Sequence, residues 1–133
     1  MRLIISALAF TALAACSKDD NNNNNSTPDN AAVITFTTPN AGITYLNGDN
    51  LRVQGEINDA DVVKTAKVQI KNKSTNAVYY EQTISVGNLL TYPFLWNWTV
   101  TGISAPQTAT VTVTSTDTKG NNTSKSVDIN LLP

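Results

Sequence analysis

The sequence predicts an all-β domain, a sandwich of seven short strands, over residues 33–133. Three observations lead there. Apolar and polar residues alternate with a period of two, as in "ATVTVTS" (Ala109–Ser115), and no stretch of that span keeps a helical period. The span is rich in Thr, Val, Ile, Tyr and Trp, whose branched or flat side chains suit a pleated, half-buried surface. Turn-forming asparagine and glycine clusters recur between the alternating runs, at spacings typical of sandwiches.

Val33–Thr38 puts Ile34 and Phe36 on one face. Leu51–Ile57 sets Leu51, Val53, Gly55 and Ile57 against Arg52, Gln54 and Glu56, and Ala66–Lys71 sets Ala66, Val68 and Ile70 against Lys67, Gln69 and Lys71. Val78–Val86 and Tyr92–Val100 follow. Ala109–Ser115 opposes Ala109, Val111 and Val113 to threonines, and Val127–Leu131 turns Val127, Ile129 and Leu131 inward. Such alternation means one buried and one wet face per strand. Asn47–Asn50, Asn72–Asn76, Gly87-Asn88 and Lys119–Asn122 read as turns, because glycine and asparagine tolerate positive backbone angles.

"TTPNAGITYLNGDNLRVQGEINDADVVKTAKVQI", with Pro39, Gly42, Tyr45 and Asn47-Gly48-Asp49, resembles the first half of a bacterial Ig-like domain. "ATVTVTSTDTKGNNTSKSVDINL", with Asp117 and Gly120 in its turn, resembles the closing hairpin, so the resemblance runs from Val33 to Leu132. It implies an immunoglobulin-like β-sandwich without the cysteine pair of antibody domains. It also implies the roles such domains have in Bacteroidota lipoproteins: spacers, adhesive modules or glycan-binding accessories. It carries no common active site.

The first fifteen residues read as a signal peptide. Arg2 supplies a positive charge, Leu3–Leu13 is an apolar run too short to span a bilayer, and Ala14 and Ala15 are small. The tetrad Leu13-Ala14-Ala15-Cys16 resembles the lipobox of bacterial lipoproteins, which implies acylation of Cys16. Cys16 is the only cysteine, so it has no disulfide partner within the chain. Two or three acyl chains on one residue would hold a protein to a membrane stably. Ser17-Lys18-Asp19-Asp20 resembles the acid-rich export signal of Bacteroidota surface lipoproteins. The tetrad alone fits either face of the outer membrane, and the acid-rich run favours the cell surface over a periplasmic orientation. Residues 16–32, with their run Asn21–Asn25, are low in apolar side chains and read as a flexible stalk.

Composition narrows the chemistry. The chain has nine basic and ten acidic residues, and removing the leader removes only Arg2, leaving a net charge of −2. That balance argues against a nucleic-acid partner, whose phosphates need a basic patch. There is no histidine, which removes the commonest general base and most zinc sites. No glycine-rich phosphate loop is present and no cofactor is expected.

Two groups of residues remain as candidates. "YPFLWNWTV" puts Tyr92, Phe94, Trp96, Trp98 and Val100 on one parity. As a core face this row is ordinary. With Tyr92, Trp96 and Trp98 exposed beside Tyr79, it could stack on sugars. A bulge at Pro93 would turn Tyr92 outward, and the opposite parity of Tyr79 and Tyr80 would leave one of them facing solvent. The loop Asn58–Asp61 offers Asn58, Asp59 and Asp61 as oxygen donors, with Asp117 expected at the same end. Calcium wants six to eight oxygens, so this set is thin, and no metal is the expectation. Glu56, Asp59, Asp61 and Glu81 are the carboxylates available for glycoside hydrolysis, which needs neither histidine nor cysteine. No sign of a pocket accompanies them. The reading is a non-enzymatic surface lipoprotein, bound to the membrane through Cys16, whose Ig-like module is a spacer or meets a protein or polysaccharide partner. The alternative is a glycan-binding accessory of an outer-membrane polysaccharide uptake system.

Overall fold

The computed structural model describes residues 31–133. The signal peptide, Cys16 and the stalk up to Asn30 lie outside the described residues. Six strands form: β1 (Val33–Thr38), β2 (Thr44–Leu46), β3 (Asn50–Asn72), β4 (Val78–Thr99), β5 (Gln107–Asp117) and β6 (Asn122–Leu132). All pairings are antiparallel except β2 with β6, which is parallel.

The seven expected runs are present, but two pairs of them are fused. Leu51–Ile57 and Ala66–Lys71 are the two ends of β3, and Val78–Val86 and Tyr92–Val100 fall within or at the end of β4. The short β2 is an addition that the alternation did not announce, since three residues are too few to show a period. Asn58–Asp61, expected as a loop, lies inside β3 where that strand bends. Its pairing with β4 lapses between Asn58 and Val63, and Val62 takes a φ of 72°, uncommon for a branched side chain. The bend changes the inward parity: Leu51, Val53 and Ile57 are buried before it, and Ala66, Val68 and Ile70 after it. β4 bends at the same level, where Gly87 and Asn88 have φ of 77° and 65°.

Each long strand therefore serves two layers. One layer holds β1, the first half of β3 and the second half of β4. The other holds the first half of β4, the second half of β3, then β5, β6 and β2. A single core lies between them, with Leu51, Val53, Ile57 and Phe94 from the first layer and Val68, Ile70, Val111, Val113 and Ile129 from the second. Each such side chain contributes about 1.5–3 kcal/mol on full burial. Ala32, placed with the stalk by sequence, is buried in this core. Outside, the alternating threonines of β5 meet β6 in cross-strand pairs: Thr110 with Asp128, Thr112 with Ser126, Thr114 with Ser124 and Thr116 with Asn122.

Gly55 is required by packing. A Cβ there would sit 1.9 Å from the Thr35 carbonyl oxygen and 2.6 Å from the Phe94 ring. Phe36 and Phe94 are its register partners on either side, and their rings meet edge to face above it at 6.0 Å. The glycine leaves the space that the two rings fill.

Candidate functional site

The aromatic row is built by the second half of β4. Its register with β3 is unbroken from Thr91 to Thr99, so Pro93 makes no bulge and Tyr92 keeps its inward parity, half-buried against the core. Proline fits because this half of β4 is a sheet edge, where a missing N–H costs no ladder bond. Phe94 and Trp96 are buried and stacked on each other at 5.1 Å. Trp96 is only 3% exposed, and its Nε1 has no hydrogen-bond partner among the described residues. Trp98 is half-buried and stacks on Tyr79 at 5.7 Å and 15°.

Tyr79 reaches Trp98 because the register between β3 and β4 slips beside it, with Ile70 opposite Tyr80 and Lys71 opposite Val78. The extra residue is a bulge. It lets Tyr79 and Tyr80 both pack against the core, so neither is turned wholly to solvent as their parity implied. Buried Asn72 holds the arrangement: its Nδ2 donates to the Tyr79 hydroxyl (3.0 Å) and to Gln107 (2.6 Å), and its Oδ1 accepts from the backbone of Ser74 and Thr75. Period-two reading misses this network because an asparagine at a strand end looks like any turn residue.

The second candidate lies at one pole of the sandwich. Asp59 and Asp61 lie in the bend of β3, just before Val62, and Asp117 ends β5. Oxygens of the three carboxylates lie within 4.8 Å of one another, and Asp59 and Asp117 are buried. Asn58, expected among them, points elsewhere: it donates to Glu56 (2.6 Å) and accepts from Thr91 (2.7 Å). Each acid is engaged. Asp59 accepts from the Asp61 backbone N–H (2.8 Å). Asp117 accepts from the backbone and the side chain of Asn121, each at 2.8 Å. Burial pushes the Asp117 pKa up, but these bonds and the backbone N–H groups of Lys119 and Gly120 outweigh it and hold the carboxyl below its ordinary value. Lys119 places its ammonium 2.7 Å from Asp61 Oδ1, while Asp61 Oδ2 is buried without a hydrogen-bond partner. Thr118 ties the β5–β6 turn to the bend through Asp61 O and Val62 O.

The three carboxylates are the group among the described residues whose oxygens could hold a divalent cation. They offer few ligands for calcium, and Lys119 already supplies positive charge. Lys119 was readable as a partner only through its place in the same turn as Asp117.

The remaining carboxylates do not resemble an acid–base pair. Glu81 is exposed and ion-paired to Lys67 at 3.0 Å, which lowers its pKa, the opposite of what a general acid needs. Glu56 is exposed on β3 and bonded to Asn58. An open groove lined by Thr44, Pro106, Gln107, Thr108, Asn130 and Leu132 lies at the end of β5 opposite Asp117 and has no ionisable side chain.

The sequence profile of the bacterial Ig domain matches residues 33–113, more than half of the chain. The chain belongs to the bacterial Ig domain family. No curated protein sequence matches it. Among solved structures, the Ig domain is similar to the fibronectin(III)-like modules of Clostridium thermocellum CbhA, with TM-score 0.52, 13% identity, and coverage of 75% of this chain and 96% of that one. Weaker likenesses include CopC of Methylosinus trichosporium OB3b (TM-score 0.46, 10% identity, 76% and 95% coverage) and murine CRIg (0.42, 11%, 77% and 97%). At these identities the likeness to CbhA concerns the fold alone. Bacterial Ig domains are typically non-catalytic interaction or spacer modules.

Proposed function

We propose that this protein is a non-enzymatic lipoprotein of the outer membrane, anchored through Cys16 and displaying its Ig domain at the cell surface as a spacer or interaction module. The structural observation that carries the reading is the position of Trp96. The side chain best suited to a stacking platform is sealed in the core, and Tyr79 and Trp98 cover one another. The outer face of β5 and β6 is rich in hydroxyl and amide groups, suited to standing in water between other components. The leader, the Leu13–Cys16 tetrad and the run Ser17–Asp20 support the anchor and the surface address.

The test is made in the host. Mass spectrometry of the purified protein should find acyl chains on Cys16 as the first residue, and Cys16→Ala should move the protein out of the membrane fraction. Protease added to intact cells should remove the domain. An unmodified Cys16 behind an intact leader would overturn the anchor, and full protection from protease would overturn the surface address. A glycan array separates the accessory role: binding abolished by Trp98→Ala in a folded domain would favour the polysaccharide partner over the spacer.

A further inference from the structure

The sheet edges differ in how they are guarded. An unpaired strand edge invites another strand, and proteins blunt it with brevity, proline, bulges or an inward charge. β1 has six residues, a register slip after Phe36 and Pro39 just beyond it. β2 has three residues. The free part of β6 carries Lys125, whose partner Val113 is buried, so a charge points inward at that edge. The second half of β4 carries Pro93. The first half of β4 has no such guard along Tyr80–Val86, seven residues with one charge, Glu81, and no proline, glycine or lysine. Among the described residues it pairs only with β3. The Tyr79 bulge closes the segment on one side and the Gly87-Asn88 bend on the other.

We propose that Tyr80–Val86 pairs antiparallel with the same segment of a second copy of this chain. Opposed residues in an antiparallel ladder share a face, so the two-fold axis must fall on a residue. On Glu81 it would oppose two carboxylates. On Gln82 it would run Val86 past the straight segment into the copy's bulge. On Thr83 all seven residues pair: Tyr80 with Val86, Glu81 with Ser85, Gln82 with Ile84, and Thr83 with itself. Glu81 then faces an uncharged Ser85, its own charge already met by Lys67 and Gln69. The half-buried Tyr80 and Ile84 gain cover at the edge that leaves them half open. The second layers of two copies become one continuous sheet.

The test uses the full chain in its own membrane, mildly oxidised and read on a non-reducing gel. Thr83→Cys should cross-link to a dimer, because opposed residues lie about 5 Å apart, within disulfide reach. Ser85→Cys should not, since its counterpart lies four residues along the strand, about 13 Å away. The parent chain reports any background from Cys16. Sedimentation of the purified full chain in detergent gives the second arm. Ser85→Glu sets a carboxylate opposite Glu81 and should weaken the dimer at least tenfold, and Glu81→Lys combined with Ser85→Glu should restore it. Equal cross-linking at residues 83 and 85, no cross-linking at either, or a dimer indifferent to Ser85→Glu would overturn the proposal. Failure of the anchor would appear as unaltered membrane partition of Cys16→Ala and leaves the Thr83 result readable.

Discussion

Trp96 and Asp59 are almost equally buried, at 3% and 6% exposure, yet burial has opposite consequences for them. Trp96 lies in mid-strand, where every neighbour on its face is apolar and burial removes it from any role at the surface. Asp59 lies where β3 bends and loses its pairing, so freed backbone N–H groups and the β5–β6 turn are at hand to satisfy a carboxylate. The contrast teaches that strand centres turn aromatic side chains into core. Bends, where ladders lapse, are the places that collect polar groups able to meet a ligand.

The largest expected effect comes from the core side of this comparison. Trp96→Ala should destabilise the domain by about 3–5 kcal/mol in urea denaturation. Trp96→Phe should cost far less, because the indole Nε1 loses no hydrogen bond. A loss below about 1 kcal/mol for the alanine variant would mean that the row is not core. Next comes Gly55→Ala. Its added methyl meets backbone at Thr35, which cannot swing away as a side chain could, so overpacking of about 1–3 kcal/mol is expected, with β1 showing the greatest rise in amide exchange.

At the acidic pole the effects are smaller and depend on pH. Asp117 at that pole and Asp128, away from it on the outer face of β6, both have lowered pKa values in the folded domain, Asp128 chiefly through Lys73 and then Thr110. A lowered folded pKa contributes stability above the unfolded value, near 4 for aspartate, and loses it as pH falls through the folded value. The melting temperature should therefore hold from neutral pH to about 5 and fall below about 4. Asp117→Asn should flatten that fall, and an unchanged acid limb would show that the pole stores no such linkage. Millimolar calcium should leave the melting temperature of the parent unchanged, and Lys119→Gln should make it calcium-responsive. A parent protein that calcium stabilises would reverse this assignment of the pole. The smallest effect belongs to the exposed Lys73–Asp128 pair, where Lys73→Ala should cost at most about 1 kcal/mol and less in high salt.

The sequence by itself determined the strands, their inward faces and most of their turns. Alternation is a local property, written wherever one face of a strand is to be buried, and Leu51–Ile57 or Ala109–Ser115 display it without reference to the rest of the chain. Asp117 could be expected near Asp59 and Asp61 because a sandwich gathers alternate strand ends at one pole. Tertiary structure alone decided that two pairs of strands are continuous, that the odd and even inward faces of β3 are joined by a register slip between Val63 and Thr65, that Tyr79 and Tyr80 face the same way across a bulge, and that Asn58 turns from the acids. Each of those outcomes rests on register between strands far apart in sequence. A single extra residue on one side of a ladder reverses every face beyond it, and no local pattern records that residue.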